Sequence, residues 1–412
     1  MIYKKKKSSR RNFISRTLSG MASLGFLGLV GKAEIVTKLK ESKLNSKGEI
    51  IYRTLGKTGI RLPIVNMGVM NTLDSALMKR SYEIGVRYFD TAAWYMRGRN
   101  EEMLGNAIKE LDVRDKVIIG TKIFIPHQQR EMSPEQAKET YLKIADESLK
   151  RLQTDYVDIL YSHVVGSIDW LNNPGILEAF KLLKEQKKAR FIGFSTHQNM
   201  AECINEAVRT GFYDIILTAF NYAMADDENL INALKNADSN GIGLMAMKTQ
   251  CSQYWYREHV PEGKQEYYKG RILHTAVLKW ALRNDFITTA IPGYTNFQQM
   301  EEDFSVAYDL KYTEEEKKFL EDRKVKLAIK GYCQQCSRCL PTCPNGVDIP
   351  ALMRTHMYAA CYTNFYQARD TLDEIPRGKS IQICRSCKTC VARCANSVNI
   401  ARRIDELKMI YT

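Results

Sequence analysis

Acidic residues are missing from the first 32 positions of this 412-residue chain, a stretch that carries eight Lys or Arg. Cysteine is missing there as well, which excludes lipid attachment to a thiol at that end. The apolar run that follows, Leu18–Val30, has thirteen residues and is broken by glycines. That falls short of the roughly 20 residues a membrane-spanning helix needs. A broad basic field is also lacking. Of the net charge of +14, +8 falls in residues 1–32, +5 in 331–412 and only +1 in the long middle. A nearly neutral middle argues against nucleic acid as a partner, so the basic excess reads as a targeting feature. No flavin motif is apparent either, so nothing in the chain is marked to split an electron pair.

What is present at the start is a basic stretch, Lys4–Lys7 with Arg10 and Arg11, followed by the short apolar run. That is the pattern of an export signal. Ser9-Arg-Arg-Asn-Phe-Ile14 resembles the twin-arginine motif of bacteria, which is read by a receptor and is no anchor in itself. The resemblance implies the twin-arginine export machinery as a partner and the periplasm as destination. An inner-membrane anchor through an uncleaved signal is the alternative. Residues 1–33 read as the signal and 34–50 as a polar linker.

From residue 51 short β-branched runs alternate with amphipathic stretches, as βα repeats do. A hairpin with bracketing glycines (Ile51–Leu62) comes first. Eight candidate strands follow: Ile64–Val69, Tyr88–Thr91, Val117–Ile123, Tyr156–Tyr161, Arg190–Ser195, Asp214–Phe220, Gly243–Met247 and Thr288–Ile291. Helices are expected over Pro134–Leu152, from Asn173 onward, and over Asn296–Tyr308 and Thr313–Lys330. Eight strands with intervening helices in residues 51–330 predict an α/β fold, a (β/α)8 TIM barrel. Asp90, Tyr95, Lys122 and His163 sit at or just past strand ends, where such a barrel gathers residues distant in sequence. An acid, a phenol, an ammonium and an imidazole brought together form a proton-transfer site. A phenol has an ordinary pKa of about 10, and a neighbouring ammonium is expected to lower it.

Phe89-Asp-Thr-Ala-Ala-Trp-Tyr95, Gly120-Thr-Lys122 and Ser162-His163 resemble the aldo-keto reductases. The resemblance runs from about Tyr52 to Arg323. It implies that Tyr95 is the general acid, that Lys122 and Asp90 tune it, and that His163 orients a substrate carbonyl beside a bound nicotinamide. It also implies cofactor contacts from Ser195 and Thr196, from Met247 and Lys248, and from Tyr294, Asn296, Glu302 and Asp303. The chain departs from the family in three places. Thr196 replaces an asparagine, Leu217 stands where a glutamine is usual, and Gly293 and Gln299 replace the cations that grip a 2′-phosphate. A phosphate without a cation loses charge-assisted hydrogen bonds, so NAD is favoured slightly over NADP. The segment Thr249–Gly270 carries Tyr254, Trp255, Tyr256, Tyr267 and Tyr268. Aromatics in a long barrel-mouth loop suit a carbonyl or alcohol substrate with a sugar ring. A lid packed on the next domain is the plainer reading.

Residues 331–412 hold two quartets of one spacing: Cys333-x2-Cys336-x2-Cys339-x3-Cys343-Pro344 and Cys384-x2-Cys387-x2-Cys390-x3-Cys394. This is the spacing of bacterial ferredoxin ligands, in which the fourth cysteine serves the other cluster. A small ferredoxin-like domain with two [4Fe–4S] clusters is therefore expected. Cys333, Cys336, Cys339 and Cys394 would hold one cluster; Cys384, Cys387, Cys390 and Cys343 would hold the other. A disulfide scaffold is the rival reading for an exported protein, and zinc fits the spacing poorly. Together these features predict an exported carbonyl–alcohol oxidoreductase, whose clusters read equally as structural, as acceptors of electrons from a bound substrate radical, or as a link to an electron-carrier protein. The alternative is an electron-transfer or binding subunit whose barrel does not turn over.

Overall fold

Seven parallel pairings in sequence order join eight strands into one sheet. The computed structural model describes residues 48–126, 129–250, 273–323, 325–326 and 331–411. The expected signal, most of the linker, Cys251 and nearly all of the aromatic loop lie outside the described residues. An antiparallel hairpin, β1 (Tyr52–Thr54) and β2 (Arg61–Pro63), precedes the sheet. The barrel strands are β3 (Met67–Gly68), β4 (Tyr88–Asp90), β5 (Ile118–Ile123), β6 (Val157–Ser162), β7 (Ala189–Thr196), β8 (Ile215–Ala219), β9 (Gly243–Met247) and β10 (Thr289–Ala290). Each falls within or beside an expected run. The first and last close on each other through a Val65–Ala290 bridge and the Asn66 N–H to the Ala290 carbonyl at 2.9 Å.

The hairpin plugs one end of the barrel. Leu55, Ile60 and Leu62 pack with Tyr88, Ile159, Tyr161, Ile215, Leu217, Met245 and Ile291 in a single apolar cluster. Leu217 is fully buried in this cluster, which is why it offers nothing to a ligand. Polar links thread the same interior: the Tyr88 hydroxyl donates to Asp90 at 2.7 Å and meets the Tyr161 hydroxyl at 3.1 Å. Gly120 makes this crossing possible, because a Cβ there would collide with the Tyr88 phenol.

Local chemistry fixes the helices around the sheet. Pro134–Leu152 starts in a capping box between Ser133 and Gln136 with proline in its first turn. Asn296 lies outside its expected helix and caps Phe297–Ser305. Thr313 likewise caps Glu314–Glu321; the expected helix is interrupted where Asp322 turns extended and is helical again at Arg323, Val325 and Lys326.

The cysteine-bearing segment is helical, and no strand forms among its described residues. Helices Ile349–His356, Phe365–Asp373 and Ile400–Tyr411 enclose a small core of Val347, Ile349, Leu352, Ile381, Ile404 and Leu407 with Cys339 and Cys384. The expected likeness to ferredoxin thus rests on cysteine spacing alone. This segment and the barrel belong to one compact unit, Ile50–Thr412. Gln334 bonds the Ala223 carbonyl at 3.0 Å, and Asn364 bonds the Met70 carbonyl at 3.2 Å and Asn71 Oδ1 at 3.1 Å.

Candidate active site

Asp90 ends β4 and Lys122 lies near the end of β5, both almost completely buried. The Lys122 ammonium pairs with Asp90 Oδ1 and donates to the Thr91 carbonyl at 2.6 Å. Because Tyr88 takes the other Asp90 oxygen, both ends of the carboxylate are held. Tyr95 follows β4 in a tight turn in which Met96 (φ 47°) and Arg97 (φ 56°) are both left-handed. Left-handed non-glycine residues cost about 1–3 kcal/mol each and gather at functional sites. His163 follows β6, its N–H bonded to the Ile123 carbonyl at 2.9 Å. Its ring stands edge-on to Tyr95 and to Phe124, with centroids 5.6 Å away in each case. The Lys122 nitrogen lies 4.9 Å from the centre of the Tyr95 ring. The four residues expected to meet do meet.

Their electrostatics differ from the simplest expectation. Burial raises the Tyr95 phenol well above its ordinary range, and Asp90 and then Tyr358 add to this. The ammonium does not reverse it, because Lys122 sits over the ring face, is neutralised by Asp90, and is itself lowered by burial. Asp90 is raised by burial, against the pull of Lys122. His163 is driven well below its usual value by burial, helped by Lys122, Lys248, Arg130 and Arg354. Near neutral pH the site therefore presents a protonated phenol beside a neutral imidazole. That is a pair of neutral hydrogen-bond donors suited to a carbonyl oxygen.

Asp90, Tyr95 and His163 open on a cavity of about 500 Å³ at the barrel mouth. Of the residues expected at the cofactor, Met247, Lys248, Tyr294, Glu302 and Asp303 line it. Ser195, Thr196 and Asn296 do not. The Ser195 hydroxyl accepts the Val164 N–H at 3.1 Å, bracing a turn in which Val164, a β-branched residue, has φ 56°. Thr196 donates to the Gln198 carbonyl at 3.0 Å. Asn296 accepts the Gln299 N–H at 2.9 Å as a helix cap. Tyr294 borders the cavity while its hydroxyl bonds Ser81 at 2.8 Å. Burial lowers the Lys248 ammonium to about 7. It raises the Asp303 carboxyl to about 7, with Gln250 bonded to it. Sequence reasoning missed Tyr358, Tyr362 and Thr363, which form another part of the wall. They lie among the cysteines, with no signal of their own.

Behind His163, the Arg354 guanidinium lies 3.6 Å from Glu374, and Arg130 stacks 4.8 Å over Trp170. Burial raises the Glu374 carboxyl to about 7, against the pull of Arg354. The folded protein then holds a proton that the unfolded chain releases near its ordinary value of 4.5. Stability should fall as pH rises from 4.5 through 7, by on the order of 3 kcal/mol from this group. Glu374→Gln is expected to flatten that slope, read as the change in urea midpoint between pH 5 and 7.5.

Among the described residues no disulfide joins the eight cysteines of the two quartets. Cys339 has Cys333, Cys394 and Cys336 as electrostatic neighbours, while Cys384 has Cys387, Cys390 and Cys343. These are the two crossed sets that the spacing predicts. Cys343, Cys384, Cys387 and Cys390 line a cavity of about 290 Å³ with Val347, Ile349 and Ile404. Side-chain amides donate to sulfur at 3.1 Å, from Gln335 to Cys333 and from Asn345 to Cys387. Among the described residues no three His, Cys, Asp or Glu form a site for a single metal ion.

A closed parallel barrel with a buried Asp–Lys pair, a phenol and an imidazole at its mouth defines a carbonyl–alcohol oxidoreductase. The Aldo/keto reductase family model matches residues 68–259. L-galactose dehydrogenase of Arabidopsis thaliana is 29% identical over 292 residues, 64% of this chain and 89% of that protein. L-glyceraldehyde 3-phosphate reductase of Escherichia coli (strain K12) is 25% identical over 321 residues, 65% and 91% of the two chains. An aldo-keto reductase from Bacillus halodurans, solved in its holo form, superposes with a TM-score of 0.52 at 22% identity, covering 68% of this chain and all of that one. The chain is an aldo-keto reductase-like oxidoreductase, similar to the aldo/keto reductase family over residues 68–259.

Proposed function

We propose that the protein is an exported enzyme that interconverts a carbonyl and an alcohol, sugar-like in class, using a bound nicotinamide. The observation that carries this reading is the meeting of Tyr95, Lys122, Asp90 and His163 at one cavity. L-galactose dehydrogenase and L-glyceraldehyde 3-phosphate reductase, by their names, handle sugar-like substrates, which supports the substrate class. A nicotinamide supplies or accepts the hydride when bound. Tyr95 gives its proton to the carbonyl oxygen, or takes it back, and the neutral His163 orients that oxygen. Asp90 fixes Lys122, whose charge beside the ring steadies the phenol as the proton leaves.

The wall fits a dinucleotide: Met247 offers an adaptable thioether for a flat ring, and Glu302 and Asp303 suit ribose hydroxyls. Gly293 and Gln299 line the same cavity, and neither offers a cation to a 2′-phosphate, which supports NAD over NADP. The two crossed cysteine sets fit [4Fe–4S] clusters. Cys333, Cys336, Cys339 and Cys394 would hold one, and Cys384, Cys387, Cys390 and Cys343 the other, supplying one-electron storage and exchange with a carrier protein. The export reading rests on Arg10 and Arg11 in their basic, acid-free setting.

One observation favours the alternative of a barrel that binds without turnover. Ser195, Thr196 and Leu217 are all engaged away from the cavity, so a nicotinamide carboxamide loses its family partners. Anaerobic purification separates the two. An active enzyme should carry nicotinamide, and its dithionite-bleached visible absorbance should return on adding a carbonyl substrate from a sugar panel. Absence of nicotinamide and of any carbonyl response leaves the binding subunit. Arg10→Lys with Arg11→Lys should hold the protein in the cytoplasm, and unchanged periplasmic yield sinks the export reading.

A further inference from the structure

The cysteine-bearing segment reaches the active-site cavity through a π-helix, Met357–Cys361. Its backbone closes wide turns, with the Tyr362 N–H on the Met357 carbonyl at 3.1 Å and the Asn364 N–H on the Tyr358 carbonyl at 2.9 Å. Such bulges are often kept where they serve a site, because the extra residue turns a side chain out of register. Here Tyr358 joins Tyr95 and His163 in the cavity wall. Asn364 fastens the stretch to the loop after β3 through the Met70 carbonyl and Asn71. The Lys248 ammonium lies 5.5 Å from the centre of the Tyr358 ring and holds it by a cation–π contact.

Tyr358 is only 7% exposed, and its hydroxyl makes no hydrogen bond to any described residue. The Tyr95 hydroxyl is in the same condition. The two phenols are close enough for Tyr358 to affect the charge state of Tyr95. Burial pushes the Tyr358 phenol up to about 12, so it remains a donor across the physiological range. A phenol in the cavity wall with no described protein partner is placed to donate to an oxygen on a molecule bound there.

We propose that Tyr358 contacts the substrate, its hydroxyl donating to the oxygen on the carbon next to the reacting carbonyl, so that 2-hydroxy aldehydes and ketones are preferred. This rests on the reading of Tyr95 as the group at the carbonyl oxygen. With Tyr95 on that oxygen, a second phenol in the same wall meets the neighbouring position. A substrate bearing a hydroxyl there satisfies both donors, whereas one lacking it leaves Tyr358 unpaired. The specificity element is contributed from outside the barrel, by the segment that carries the cysteines.

The test uses full-length, anaerobically purified protein with 2-hydroxypropanal and propanal, which differ only in the 2-hydroxyl. The parent should favour 2-hydroxypropanal. Tyr358→Phe should lose about tenfold or more in kcat/KM on it, chiefly through KM, and much less on propanal. Phenylalanine keeps the ring over Lys248, and an unchanged melting midpoint and iron content verify the fold. Equal losses on both aldehydes, or no loss on either, overturn the proposal. If the parent reduces neither aldehyde, it is the reading of Tyr95 that has failed. Saturation-transfer NMR on the nicotinamide-loaded parent and variant then decides about Tyr358 separately. Affinity that depends on the 2-hydroxyl and vanishes in Tyr358→Phe supports the contact, and equal affinities in both proteins overturn it.

Discussion

Tyr95→Phe is expected to slow carbonyl reduction by about 10²–10⁴-fold, the usual worth of a positioned proton donor. Nicotinamide binding should stay nearly intact. The variant keeps the ring edge-on to His163 and beneath the Lys122 ammonium, so the surrounding packing is undisturbed. The lost hydroxyl has no bond to a described residue, so its removal orphans no described partner. Loss of rate with retained binding is therefore specific to the proton transfer. Single-turnover rates followed by nicotinamide fluorescence, with a binding titration on the same samples, provide the check. A Phe variant that reduces carbonyls at the parent rate refutes the role given to Tyr95.

The second large effect concerns iron. Full-length protein purified without oxygen should hold about eight iron and eight sulfide per chain. The crossed arrangement makes a sharper demand than the total. Cys394→Ser should remove the same cluster as Cys336→Ser, although these residues belong to different quartets in sequence. Cys343→Ser should likewise match Cys387→Ser, since Cys343 and Cys387 share one apolar cavity. Electron paramagnetic resonance of the reduced variants distinguishes the two clusters. Signals that pair by quartet (Cys394 with Cys387) would refute the crossed assignment. Zinc, or disulfides with no iron, would remove the clusters altogether.

The barrel was legible in sequence because its strands are short, mostly apolar runs largely buried on both faces, a pattern set by local chemistry. Asp90, Tyr95, Lys122 and His163 were legible for the related reason that strand ends in such a barrel share one mouth. Ser195 marks the limit of that logic. Its place at the end of β7 was correctly read, but its hydroxyl is taken by the N–H of Val164, just past the adjacent strand β6, whose left-handed turn no sequence pattern announces. Similarly, a lysine near a tyrosine suggested a lowered phenol pKa. The direction is reversed by burial, and then by the Asp90 carboxylate and a second phenol that packing brings close. Tyr358 was illegible altogether, because its position depends on a π-helix and on an asparagine clasp between distant segments.

That clasp has a consequence for when the protein becomes competent. Asn364 and Met70 are 294 residues apart, and every barrel strand is synthesised before the segment that roofs the mouth. At about 5–20 residues per second, a ribosome releases the last strand several seconds before Tyr358 and Asn364 are free to dock. A nascent or clipped chain can thus assemble Asp90, Tyr95, Lys122 and His163 and still lack one wall of its cavity. Completion of the reaction chamber comes after the barrel, and it waits on the stretch of chain that also carries the cysteines.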